Sequence, residues 1–193
     1  MEWDYEFDVV VVGSGNGALT AALCSHDGGA KTLVIEKSSQ FGGTSATSGG
    51  GVWIPNNRYA KAENVDDSDQ DARNYINSVS PEGMIKDELI ETYISEGPRM
   101  IDYLHENSQV KYRNLAHYPD YFPDNTGGKE GNRSMEPEPI FGTELGDDLG
   151  KLREQHPQTA FTMGPINMNF TQVEGQLLLG ALPGWKTQFA KLF

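Results

Sequence analysis

Residues 7–18, Phe7-Asp8-Val9-Val10-Val11-Val12-Gly13-Ser14-Gly15-Asn16-Gly17-Ala18, decide how this chain is read. Phe7 to Val12 is a valine-rich run of the kind that forms a strand buried on both faces of a parallel sheet. It stops at glycine. Gly13 permits a sharp turn, Gly15 removes the side chain that would hold a backbone away from a pyrophosphate, and Ala18 is small enough for the next helix to pack on the strand. That helix is expected over residues 16–26, with Asn16, Gly17 and Ala18 in its first turn. There its free N–H groups and positive dipole end suit phosphate without help from a lysine.

A second strand is expected over Thr32–Glu36. Glu36 lies 23 positions after Gly13, near the ~20 expected of a carboxylate that binds ribose hydroxyls. An acid there repels a 2′-phosphate, which disfavours NADP. The bland alternative is a strand, turn and helix whose glycines only shape a loop and whose Glu36 is a solvated strand end. The order strand, glycine turn, helix, strand, acid favours the dinucleotide. The fold class is therefore α/β, the N-terminal part of a Rossmann-like domain with helical and loop additions.

The stretch after Glu36 and Lys37 separates the two common dinucleotides. Phe41-Gly42-Gly43-Thr44-Ser45-Ala46-Thr47-Ser48-Gly49-Gly50-Gly51 repeats glycine where a nicotinamide site has no need of it. A flavin whose pyrophosphate and ring both run along the backbone requires such close approach and positive φ. Thr44, Ser45 and Ser48 add hydroxyl donors. The expected cofactor is FAD, with Gly13, Gly15, Asn16, Gly17, Ala18, Glu36, Lys37, Gly42, Gly43, Thr44, Ser45, Ser48, Gly49, Gly50 and Gly51 as its binding residues. No metal site is assigned.

Phe41 to Asn57, FGGTSATSGGGVWIPNN, resembles the flavin-binding segment of the 3-ketosteroid Δ1-dehydrogenases, within the fumarate reductase and succinate dehydrogenase flavoprotein superfamily. The Glu-Lys-x4-Gly-Gly-Thr-Ser order is shared across that superfamily; the Trp53-Ile54-Pro55-Asn56 ending is narrower. The stretch has no histidine of the kind that tethers FAD in membrane-bound succinate dehydrogenases, so the resemblance implies non-covalent FAD. A second match covers Pro119-Asp120-Tyr121-Phe122, Gly131-Asn132-Arg133-Ser134 and Glu136-Pro137. In the family, the tyrosine matching Tyr121 stands in the active site and hydrogen-bonds to the tyrosine that takes the C2 proton. Phe122 replaces a tyrosine found in many members. The implied reaction is a trans-elimination across C1 and C2 of a 3-ketosteroid, a proton leaving C2 and a hydride leaving C1 for flavin N5. Tyr121 would support the base rather than act as it.

Read from chemistry alone, Tyr121 is an exposed loop anchor, and Arg133 is a loop salt-bridge partner. Two other functions stay open. One is hydride transfer to the double bond of fumarate, urocanate or a related enoate; the other is a non-catalytic FAD-binding remnant. Family enzymes are several times longer, with a catalytic domain inserted into the FAD domain. The chain is accordingly expected to be an N-terminal portion whose catalytic domain is absent and whose sheet is incomplete. Its expected parts are residues 1–57 as the dinucleotide unit and flavin loop, 58–115 as a helical segment, 116–140 as the active-site loop and 141–193 as a helical tail.

The remaining signals are weaker. A net charge of -13 argues against nucleic acid and anionic membrane surfaces. Cys24 is expected to be a small buried hydrophobe in the first helix. No basic leader and no run of ~18 apolar residues is visible, so the expected location is cytoplasmic and the expected partner a 3-ketosteroid-like small molecule, with the electron acceptor unassigned. Val65 to Asp69 offers an N-cap for a helix through Ser78, Gly83 to Glu96 is amphipathic, and a third helix is expected to begin at Pro98. Asp124 to Pro139 reads as a long surface loop, with Val110 to Leu115 a weak strand candidate. Val173 to Leu192 reads as two short helices broken at Pro183-Gly184.

Overall fold

The computed structural model describes residues 3–156, 161–163, 166–168 and 185–192. The chain divides into two units, residues 1–50 with 140–169, and residues 51–139 with 170–193. Both mix helices with small sheets.

The first unit opens with β1 (Val9–Val12), α1 (Asn16–Asp27) and β2 (Thr32–Ile35). The two strands pair in parallel, Val9 opposite Thr32 and Val12 opposite Ile35. A helix between parallel neighbours is the simplest crossover. Among the described residues this sheet has two strands, and the expectation that β1 is buried on both faces is not met. Val11 is buried, whereas Val10 is 52% and Val12 77% exposed. Cys24 is likewise exposed rather than buried. The reason is shared: α1 packs on β1 and β2 and buries none of its own residues.

Residues 141–193, read from the sequence as a helical tail, hold among the described residues a 3-10 segment at Gly142–Lys151, an antiparallel hairpin of β6 (Phe161–Met163) and β7 (Ile166–Met168), and the helix α5 (Trp185–Leu192). The first helix expected after Val173 falls outside the described residues. Leu152 forms a parallel bridge with Phe41, closed by Phe41 N–H donating to the Lys151 carbonyl and Arg153 N–H donating to the Phe41 carbonyl, each at 2.9 Å.

The second unit centres on an antiparallel sheet in the order β3 (Val52–Trp53), β5 (Ser134–Pro137), β4 (Tyr112–Asn114). Thus β5 lies inside the stretch read as a surface loop. Met135 is fully buried with Ile54, Ile101 and Tyr112, and Glu136 is buried because Arg113 Nε donates to it at 3.0 Å. A polar residue on a strand can go inside when its charge is met there.

Around the sheet stand α2 (Arg58–Ala62), α3 (Asp69–Val79) and α4 (Asp87–Asn107). Ser68 caps α3 by accepting the Asp71 N–H, as the acidic run before it suggests. Asn57 caps α2 through the Tyr59 and Ala60 amides and donates to the Ile54 and Asn132 carbonyls. Contrary to expectation, no helix begins at Pro98, which lies within α4. Proline there removes the bond to the Ile94 carbonyl, but the buried stripe Ile90, Ile94, Gly97, Ile101 and Leu104 runs through it. Burial along one face outweighs one lost hydrogen bond. Gly97 leaves room for Ile54, whose Cδ1 would lie 3.3 Å from an added Cβ.

Candidate functional site

A groove of about 710 Å³ opens where β1, α1 and β2 meet in the first unit. Gly13 makes the turn at φ 97°, a value that L side chains rarely adopt, and its N–H donates to the Ile35 carbonyl at 2.7 Å. Gly15 precedes α1 in extended conformation without side-chain capping. The Asn16 N–H donates to Ser45 Oγ at 3.0 Å, and an added Cβ on Gly15 would approach that oxygen at 3.3 Å. Among the described residues, the Gly17 and Ala18 amides in the same turn have no acceptor, and a Cβ on Gly17 would meet nothing within 4 Å. Free amides of a first helical turn and bare backbone face an open groove, which suits an anionic diphosphate.

Across the groove stands Glu36. Ser14 Oγ, buried, donates to Glu36 Oε2 at 2.5 Å and accepts the Gly42 N–H at 2.9 Å. The Ser38 N–H donates to Glu36 Oε1 at 3.0 Å. These bonds, that from Ser14 first, hold the Glu36 carboxyl below its ordinary value. A fully ionised acid, with its orientation fixed by a serine and an amide, can accept from vicinal hydroxyls.

Of the residues anticipated from the sequence, Gly13, Gly15, Asn16, Gly17, Ala18, Glu36, Lys37, Gly43, Thr44 and Ser45 line this groove together. Gly42, Ser48, Gly49, Gly50 and Gly51 do not line it. Gly42 instead takes φ 107° where an added Cβ would come within 2.7 Å of the Ala46 Cβ and 3.2 Å of Leu152 Cδ1. Gly51 belongs to the second unit, where its backbone passes the Met135 carbonyl. Sequence reading missed Ser14, Ser38, Gln40 and Arg153, all of which line the groove. Ser14 sits inside the glycine fingerprint and could have been weighed there. For Arg153 no local signal existed.

In the second unit, Tyr121 and Phe122 are exposed on the loop after Asp120, Tyr121 at 85%. Asp120 is the buried root of that loop. It accepts from the Trp53 indole at 2.6 Å, from Arg133 Nη1 at 2.9 Å and from the Lys129 amide at 3.0 Å. Arg133, 1% exposed, also bonds Asp67 through Nη2 at 2.6 Å and the Gly127 carbonyl at 2.9 Å, and its guanidinium lies 5.5 Å from the Trp53 ring. Arg133 is a salt-bridge partner, but an interior one. Nearby, Lys129 Nζ at 3.0 Å and the Ser68 hydroxyl hold the Asp71 carboxyl below its ordinary value.

The FAD binding domain family model matches residues 8–181. The chain belongs to the FAD-binding domain family. This FAD-binding chain is 38% identical over 168 residues to the 3-oxosteroid 1-dehydrogenase of Mycolicibacterium smegmatis (strain ATCC 700084 / mc(2)155), covering 87% of the chain and 29% of that protein. It is 38% identical over 157 residues to the 4-oxocyclohexanecarboxylate 2-dehydrogenase of Sinomonas cyclohexanicum, covering 81% and 27%. Among solved structures, the 3-ketosteroid delta1-dehydrogenase of Sterolibacterium denitrificans, in complex with 1,4-androstadiene-3,17-dione, superposes with a TM-score of 0.85 at 38% identity, covering 96% of this chain and 32% of that one. The FAD-binding chain therefore spans less than a third of the length of these relatives. Its cofactor is FAD. Among the described residues no helix is long and apolar enough to cross a membrane.

Proposed function

We propose that this chain supplies the FAD-holding portion of a Rossmann-like flavoenzyme that dehydrogenates a 3-ketosteroid, or a similarly built cyclic ketone, across the carbons α and β to its carbonyl. The observation that carries the reading is the groove itself, with free first-turn amides on one side and an ionised Glu36 held by Ser14 on the other. The Gly17 and Ala18 amides would bind the diphosphate, and Gly13 and Gly15 would let it approach the backbone. Glu36 would accept from the ribose hydroxyls. Lys37, Gly43, Thr44 and Ser45 complete that set, and Gly42, Ser48, Gly49, Gly50 and Gly51 would act by shaping the loop that follows.

FAD, when bound, supplies the hydride acceptor. The chain's own contribution to the proton step is assigned to Tyr121. Its hydroxyl would donate a hydrogen bond to the base that takes the substrate proton, stabilising the anionic form and lowering its pKa. The ketosteroid reading is supported by the relatives above, whose named substrates share a ring ketone. Binding would be non-covalent, consistent with the absence of histidine between Phe41 and Asn57.

The test uses the longest available form of the protein, purified with FAD and assayed with androst-4-ene-3,17-dione and an artificial electron acceptor. Steroid-dependent reduction of the acceptor is the expected result. Reduction of fumarate by a reduced dye, without steroid turnover, would move the protein to the enoate reductases. Bound flavin with neither activity would make it a non-catalytic binder.

A further inference from the structure

Every other arginine of the chain is neutralised within it: Arg58 by Asp102 and Glu106, Arg73 by Glu91, Arg99 by Glu96, Arg113 by Glu136, and Arg133 by Asp67 and Asp120. Arg153 alone among them has no carboxylate partner among the described residues, and it lines the groove. In a chain of net charge -13 an unclaimed guanidinium is conspicuous. Its backbone is also fixed, because the Arg153 N–H donates to the Phe41 carbonyl and Leu152 packs at Gly42. The residues after the 3-10 segment are thus paired to the loop that begins the glycine-rich stretch.

We infer that Arg153 is a diphosphate-binding residue of the groove, placed there by the Phe41–Leu152 bridge; the inference rests on the FAD reading above. The chemistry is complementary. A diphosphate brings two negative charges into a strongly acidic protein, beside the ionised Glu36. First-turn amides donate hydrogen bonds to it but carry only partial charge. A guanidinium adds a full charge and a planar fork of donors matched to phosphate oxygens. Lys37 lines the same groove, but an ammonium is a point charge without that fork.

The experiment measures FAD affinity of the longest available form of the protein by flavin fluorescence at low and high salt, for the unchanged protein, Arg153→Gln and Arg153→Lys. Because Arg153 is exposed, its contact is partly screened. Arg153→Gln is expected to weaken FAD about tenfold at low ionic strength, and the loss should shrink as the Debye length falls to ~3 Å near 1 M salt. Arg153→Lys should recover only part of the affinity, because it keeps the charge and loses the fork. Equal affinity of Arg153→Gln and unchanged protein at low salt would overturn the inference while leaving the FAD reading intact. So would a loss that is the same at both salt concentrations, which would mark packing rather than charge. If the unchanged chain takes up no FAD, the FAD reading itself falls and carries the inference with it.

Discussion

Ser14 Oγ lies 2.5 Å from Glu36 Oε2, so a residue of the first glycine turn fixes the acid at the end of the second strand. The same oxygen accepts the Gly42 amide, and one buried hydroxyl thereby ties together the glycine turn, the acid and the loop that follows Phe41.

Ser14→Ala should release Glu36. Its carboxyl, now held low chiefly by the Ser14 hydroxyl, should titrate closer to the ordinary value of 4.5, as followed by carboxyl NMR. The sign is fixed by linkage: a depressed folded pKa stabilises the protein above the unfolded pKa, and the contribution is lost as pH falls through the folded value. In the variant the contribution should be smaller and its loss complete at a higher pH, while the onset, set by the unfolded carboxyl, stays where it was. An unmoved titration would mean that the Ser38 amide alone sets the acid.

Gly42→Ala should be destabilising, because a side chain at φ 107° meets Ala46 at 2.7 Å and cannot relax freely against Leu152. A cost of about 1–3 kcal/mol is expected in thermal melts, together with weaker FAD binding. Gly17→Ala, whose Cβ would meet only open space, should melt normally and lose affinity alone.

Arg133→Met should strongly destabilise the second unit. Asp67 and Asp120 would be left buried without their cation, and removing one partner of such a pair costs about 3–5 kcal/mol. Urea unfolding is the measurement. Arg133→Lys should recover only part of the loss, since one ammonium cannot reproduce the fork that reaches both acids and the Gly127 carbonyl.

Tyr121→Phe, in the longest available form, should lower steroid turnover by at least tenfold with little change in FAD content or melting temperature. Its side chain is exposed, so a stability effect is not expected. An unchanged rate would remove the residue from the proton step.

Local order was legible in the sequence; distant pairing was not. The valine run, glycine turn and acid announced β1, α1 and β2 because each signal lies within the element it forms, and the helix expected over 16–26 is found at Asn16–Asp27. Ser68 was likewise readable as a cap. By contrast, β5 carries Glu136 and Pro137, and its burial depends on Arg113 from another strand. Pro98 misled because the stripe running through α4 outweighs the local rule. Arg133 gave its pairing habit away but not its depth, which comes from Asp67 and Asp120 converging on it from separate loops.

The position of β5 between β3 and β4 also bears on how the polypeptide acquires its shape. The β1–α1–β2 crossover is complete by Ile35 and can assemble from neighbours in sequence while later residues are still being added by the ribosome. Val52 has no such option, since its partner Met135 is made much later. Contacts of high sequence separation pay loop-closure entropy before they are rewarded, which slows folding. The sheet of the second unit must therefore wait for most of that unit's synthesis, and until then Val52 and Trp53 have no strand to pair with.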